Sequence, residues 1–135
     1  MASMNSVVRP ASLRPGDEVR VVAPARSRRL VLEHDHMALI ERRFADLGLR
    51  LSYGDHVDEM DGFHSSSIAS RVADLHAAFA DPAVRGILTV IGGFNSNELL
   101  PHLDWDLIAH SPKMFCGYSD ITALQNASST RPLGR

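Results

Sequence analysis

The alternation of apolar and polar positions changes period several times along the chain. Glu18–Ala25 (EVRVVAPA) is rich in valine and closes with Pro24, which lacks a ladder donor, so a short buried strand is predicted there. Between Leu30 and Leu47, Met37, Ile40, Phe44 and Leu47 recur at intervals of three and four, the spacing of one helix face, while Glu41, Arg42 and Arg43 turn to water. Gly48 is placed to stop that helix. Leu49–His56 supplies a second strand, and the polar DEMDGFHSSS is a loop ending in serines suited to cap a helix. Ile68, Val72, Leu75 and Phe79 then define a second amphipathic helix ending near Asp81–Pro82.

Gly86–Ile91 (GILTVI) is an apolar run bounded by glycines, as expected of a strand covered on both faces. It opens into Gly92–Gly93 and the polar turn Phe94–Ser96, after which Glu98–Leu103 can form a short helix. Met114–Tyr118 (MFCGY) reads as a fourth strand ahead of the helix-compatible DITALQNA. The resulting order β-α-β-α-β-α-β-α predicts an α/β fold: an open parallel sheet with right-handed crossovers and helices on both faces, flavodoxin- or Rossmann-like in plan. Ligands in such sheets collect at the C-terminal ends of the strands, where both glycine-containing turns lie.

Composition narrows the function classes. With 135 residues, 44% of them apolar, the chain can bury one core. Fourteen basic against sixteen acidic residues leave a net charge of −2, too weak a field to gather nucleic acid or an anionic membrane, and neither partner is expected. Cys116, the single cysteine, sits in an apolar run and is expected to be a small buried residue, which fits a reducing compartment. No apolar h-region or membrane-length run is present, so a cytoplasmic location is expected. Residues 1–16 read as a lead-in, 17–127 as one domain, and 128–135 as a tail without apolar pattern.

Chemistry is concentrated in two turns. Gly117-Tyr118-Ser119-Asp120 lies between a strand and a helix, and a sharp turn there presents a serine hydroxyl to substrate and base. Gly117 relieves crowding, and the helix start aims backbone N–H groups, first that of Asp120, at a developing oxyanion. The motif departs from G-x-S-x-G, since Ile121 replaces the second glycine, and Ser119 would serve equally as a helix cap. Val90–Asn97 is the other strand-to-turn junction: Gly92 and Gly93 let a substrate approach the backbone and could complete an oxyanion hole or hold a carboxylate. An ordinary glycine turn, with Asn95 and Asn97 as turn and cap residues, fits the same string. On these residues alone, a non-catalytic α/β module binding a carboxylate or phosphate remains the alternative to an enzyme.

The string VIGGFNSNELLPHLDWDLI followed by PKMFCGYSDITALQNA resembles the serine peptidase family of LD-carboxypeptidases (muramoyltetrapeptide carboxypeptidases) and microcin C immunity peptidases, closest to the microcin-immunity branch. The opening LRPGDEVRVVAPA resembles that family's first strand, so the likeness spans about residues 13–127. It implies a two-domain hydrolase with a Ser-Glu-His triad, in which the N-terminal domain carries the nucleophile and a C-terminal domain the Glu and His. By motif, Ser119 matches the nucleophile, the Asp120 N–H one oxyanion donor and the Gly92–Gly93 turn the other, with Gly93 favoured. Asn95 of the same turn is expected to contact substrate, which the resemblance makes an L,D-linked murein peptide or a microcin-like aminoacyl conjugate. No metal or organic cofactor is implied.

Two departures from the family pattern stand out. Ala25-Arg26-Ser27-Arg28-Arg29 replaces a small Ser/Pro-rich turn; the arginine run is expected to be a solvated loop, though it lies on the ligand side of the sheet. After Ala127 the chain runs Ser-Ser-Thr-Arg-Pro-Leu-Gly-Arg, which reads as a truncation or frameshift with the C-terminal catalytic domain absent. Of the seven histidines, His64 is the single one placed to be weighed as a base for Ser119, and an inert loop residue is the stronger expectation. The isolated chain is therefore expected to be weakly active or inactive, and to associate, as a homodimer or otherwise, through exposed apolar surface.

Overall fold

Strand β1 (Glu18–Val22) forms where the valine run leaves Val19, Val21 and Val22 almost fully buried, and its ladder stops before Ala23 and Pro24 rather than continuing to Ala25. In the computed structural model, which describes residues 9–31, 36–117 and 119–130, a 3-10 turn (Arg28–Val31) follows, then α1 (His36–Asp46), β2 (Arg50–Tyr53) and α2 (Ile68–Ala80). The second half comprises β3 (Val84–Thr89), a 3-10 segment (Ser96–His102), α3 (Trp105–His110), β4 (Met114–Cys116), a 3-10 turn (Ser119–Ile121) and α4 (Thr122–Thr130). Tyr118, part of the predicted fourth strand, lies outside the described residues.

The four strands form one parallel sheet in the order β2-β1-β3-β4, and the two interior strands are the most buried. Partners in register share a face: Ile87 pairs with Phe115, and Val22 with Thr89. On that face Val22, Val84, Ile87, Leu75, Ala78, Phe79, Leu99, Leu103 and Leu124 make the core, closed by Phe79 stacked on Phe115 at 6.1 Å. α2 therefore buries the face that its periodicity predicts. Ser67 caps it by accepting the Ser70 N–H, and Asp81 ends it.

Several boundaries differ from expectation. β3 begins two residues before Gly86 and ends at Thr89, because its ladder with β1 ends where β1 ends; Val90 still donates to the Val22 carbonyl before the chain turns away. α1 buries no residue, and Leu47, expected on its covered face, is 66% exposed just beyond its end. Gly48 does terminate that helix, at φ +77. α3 is an additional helix, capped by Asp104, whose carboxylate accepts the Leu107 N–H. α4 continues past residue 127 to Thr130.

Cys116 is exposed, not buried. Strand alternation puts Phe115 toward the core and Met114 and Cys116 on the opposite face, and β4 is an edge strand, so these two side chains meet solvent; Met114 is 43% exposed. Among the described residues no helix is long and apolar enough to cross a membrane.

Candidate active site

The chain leaves the C-terminal ends of β1, β3 and β4 in three turns, and their backbones interlock. After β4, Gly117 has no room for a side chain: a Cβ there would lie 2.5 Å from Thr89 Oγ1 and 2.7 Å from Ile121 Cγ2. Ser119 follows with φ +61, a left-handed conformation that costs a non-glycine residue about 1–2 kcal/mol and that local packing must hold in place. The residue is exposed and, among the described residues, nothing is bonded to its hydroxyl, so the helix-cap role open to it on sequence grounds is not the one it plays. A 3-10 turn intervenes before α4 starts at Thr122, later than the sequence suggests.

Asp120, whose backbone N–H is the first candidate oxyanion donor, also joins its turn to the one after β3. Its Oδ2 accepts the Ser96 N–H at 2.8 Å, and its carbonyl accepts the Ser96 hydroxyl at 2.8 Å. Ser96 is fully buried. The glycine turn is pressed in turn against the loop after β1: a Cβ at Gly93 would lie 3.1 Å from Ala25 Cβ and 3.1 Å from Arg26 Cγ. Gly92 is half-buried beside it. Asn95 is buried at 5% exposure, its Nδ2 donating to Ser65 Oγ at 2.9 Å, while its Oδ1 has no hydrogen-bond partner. Its side chain is thus turned toward the loop before α2 rather than toward solvent.

Arg71 is the hub of this edge and was not foreseen as a functional residue. Its side chain is 3% exposed. Nε donates to the Ser66 carbonyl, Nη1 to the carbonyls of Pro24 (3.3 Å) and Asn95 (3.2 Å), and Nη2 to Glu98 Oε2 (3.0 Å). One guanidinium, with its planar fork of donors, therefore ties the loops after β1 and β3 to the start of α2. A signal was present: Arg71 falls on the apolar stripe of α2, three residues after Ile68 and four before Leu75.

The arginine-rich loop divides into unlike parts. Arg28 makes a two-pronged pair with Asp58 (2.8 and 2.6 Å) and lies 4.4 Å from the centre of the Tyr53 ring, and this pairing holds the Asp58 carboxyl below its usual range. Burial, with help from Glu41 as hydrogen-bond partner, pushes the Tyr53 hydroxyl up to about 12. Arg26 is exposed beside Gly93. His64 is also exposed; at φ +64 its carbonyl accepts the Ser27 N–H, and none of its bonds reaches Ser119. Among the described residues no three His, Cys, Asp or Glu side chains gather where a metal ion could be held.

Comparison with known proteins agrees with the fold. Residues 19–133 match the LD-carboxypeptidase N-terminal domain family. A crystal structure of an MccF-like protein from Bacillus anthracis superposes with a TM-score of 0.85 at 50% identity, covering 88% of this chain and 36% of that one. The microcin C7 self-immunity protein MccF, in a complex with aspartyl sulfamoyl adenosine, gives a TM-score of 0.79 at 30% identity over 87% of this chain and 35% of the other. The murein tetrapeptide carboxypeptidase of Pseudomonas aeruginosa is 32% identical over 110 residues, 81% of this chain and 34% of its own length. The chain spans about a third of the length of the curated relatives it matches. A parallel sheet shared with these structures and a family match that reaches all four strands make this chain a member of the LD-carboxypeptidase family, corresponding to its N-terminal domain.

Proposed function

We propose that this chain is the nucleophile-bearing part of a serine carboxypeptidase or amidase, with Ser119 as the attacking residue. The observation that carries the reading is the backbone of Ser119: a strained left-handed residue at the end of a strand, its hydroxyl exposed and unbonded among the described residues. Such strain persists where neighbours enforce it, here through Gly117, Thr89 and Ile121.

In the proposed reaction Ser119 Oγ attacks the scissile carbonyl carbon and its proton passes to a base. The oxyanion forms against the Asp120 N–H and an N–H of the Gly92–Gly93 turn, Gly93 being favoured because its backbone lies close against Ala25 and Arg26, where a side chain would be crowded. Collapse expels the amine, which takes the proton, and water then hydrolyses the acyl ester to free the acid and restore Ser119. Asn95, buried behind the turn, acts by holding it in place rather than by touching substrate. The base comes from the part of the family fold that this chain does not match, so the chain alone is weakly active or inactive.

The substrate is a small peptide with an L,D-linked terminal amide, or an aminoacyl group joined by an amide to a nucleotide-like moiety. The names of the relatives support this range: one is a murein tetrapeptide carboxypeptidase, another an immunity protein that holds an aminoacyl-sulfamoyl nucleoside. The test joins this chain to the C-terminal part of the Bacillus anthracis protein and follows release of the terminal amino acid from an L,D-linked tetrapeptide. Turnover is expected from the fusion and not from the chain alone, and Ser119→Ala is expected to abolish it. Undiminished turnover by Ser119→Ala would remove Ser119 from the chemistry, and Ser119-dependent turnover by the chain alone would refute the division of labour.

A further inference from the structure

Of the arginines around the strand-end turns, Arg71 and Arg28 are spent, while Arg26 and Arg29 are exposed. Arg71 is buried on Glu98 and three carbonyls, and Arg28 is engaged by Asp58 and the face of Tyr53. Arg26 differs: it is exposed, and among the described residues no carboxylate or carbonyl is bonded to its guanidinium. Its stem nevertheless has a fixed seat, since its Cγ and backbone N lie 3.1 and 3.4 Å from where a Cβ at Gly93 would be. Glycine at 93 thus lets the stem of Arg26 lie directly on the turn proposed to donate to the oxyanion.

The proposed reaction puts an anion next to that turn. In a carboxypeptidase the leaving amino acid bears a free carboxylate on the carbon bonded to the scissile nitrogen, so the carboxylate sits beside the carbonyl being attacked. We propose that Arg26 receives this carboxylate, as a specificity-determining residue that selects substrates ending in a free acid. The guanidinium fork matches a carboxylate through two parallel N–H···O bonds, and among the described residues no partner occupies either prong. The inference rests on the active-site reading above, because it takes the Gly93 turn to face the scissile carbonyl.

The probe is N-acetyl-D-alanine, titrated into the isotopically labelled chain while the backbone amide signals of Gly93 and Phe94 are followed by NMR. Saturable shifts of these amides are expected with the acid, with binding at least about tenfold weaker for N-acetyl-D-alanine carboxamide and for Arg26→Gln, and partial recovery in Arg26→Lys. Arg26 is exposed, so its variants are expected to melt with the wild type, and this is checked in parallel. Equal binding of acid and amide, equal binding by Arg26→Gln, or no saturable shift would overturn the assignment. Inorganic phosphate binding as tightly as the acid at the same amides would show a general anion site and also overturn it. The two readings fail separately: lost catalysis in the fusion test strikes Ser119, and lost acid preference here strikes Arg26.

Discussion

Ser96 holds Asp120 twice, giving its backbone N–H to the Asp120 carboxylate and its hydroxyl to the Asp120 carbonyl, each at 2.8 Å. These bonds tie the turn after β3 to the turn after β4, the two proposed halves of the oxyanion hole. Asp120→Ala removes a charge-assisted bond from a buried N–H and is expected to cost about 1–3 kcal/mol, read as a lowered Tm. Asp120→Asn keeps an acceptor and is expected to recover most of that loss. Equal melting of wild type and Asp120→Ala would show that the link does not hold the turns.

Gly117→Ala places a methyl against Thr89 Oγ1 and Ile121 Cγ2 at distances no side chain tolerates. Overpacking of this kind costs about 1–3 kcal/mol, and here it falls on the residue that lets Ser119 turn. Thermal melting is expected to drop by several degrees, and an unchanged Tm would mean that the turn has slack which the contacts deny.

Arg71→Met is expected to destabilise more than any exposed arginine substitution, by roughly 2–4 kcal/mol, because carbonyls of Ser66, Pro24 and Asn95 lose their donor together. Amide hydrogen exchange supplies a local check: the loops after β1 and β3 are expected to lose protection ahead of β2 at the far edge of the sheet. Uniform loss would mean that Arg71 acts on the whole fold rather than on the strand-end edge.

Asp74 is expected to introduce a pH dependence, whose sign follows from its burial. Burial raises its carboxyl above the ordinary 3.8, opposed by the N–H of His56, which donates to it at 3.0 Å, and by the charge of His56. A carboxyl raised in the folded state favours folding at low pH, and that contribution is lost as pH climbs through the folded value. Asp74→Asn is therefore expected to gain in Tm relative to wild type on going from pH 4 to pH 7. A gap that stays constant or narrows would contradict the direction.

Much of this was legible in the sequence, for identifiable reasons. The stripe Ile68, Val72, Leu75 and Phe79 fixes α2, since long periodic faces have one way to be buried. The strand alternation and the glycine turns lead to the parallel sheet and to its C-terminal edge. Strand ends were less accurate: Val90 and Ile91 are as apolar as the strand before them, and only the end of the β1 ladder decides that β3 stops at Thr89. Cys116 was misplaced because an apolar run does not say which strand is at the edge. The hydrogen-bond hub at Arg71 and the Ser96–Asp120 link depend on tertiary contacts between residues 24 apart or more. Local pattern could flag Arg71 as an oddity on an apolar face without naming its partners.

The most direct test of the central claim is labelling at Ser119. The chain joined to the C-terminal part of the Bacillus anthracis relative is treated with a fluorophosphonate, and the adduct is mapped by mass spectrometry. One adduct on Ser119, absent from Ser119→Ala and blocked by heat denaturation, is the result this account predicts. A folded fusion that acquires no adduct, or one whose labelling survives Ser119→Ala undiminished, would contradict it.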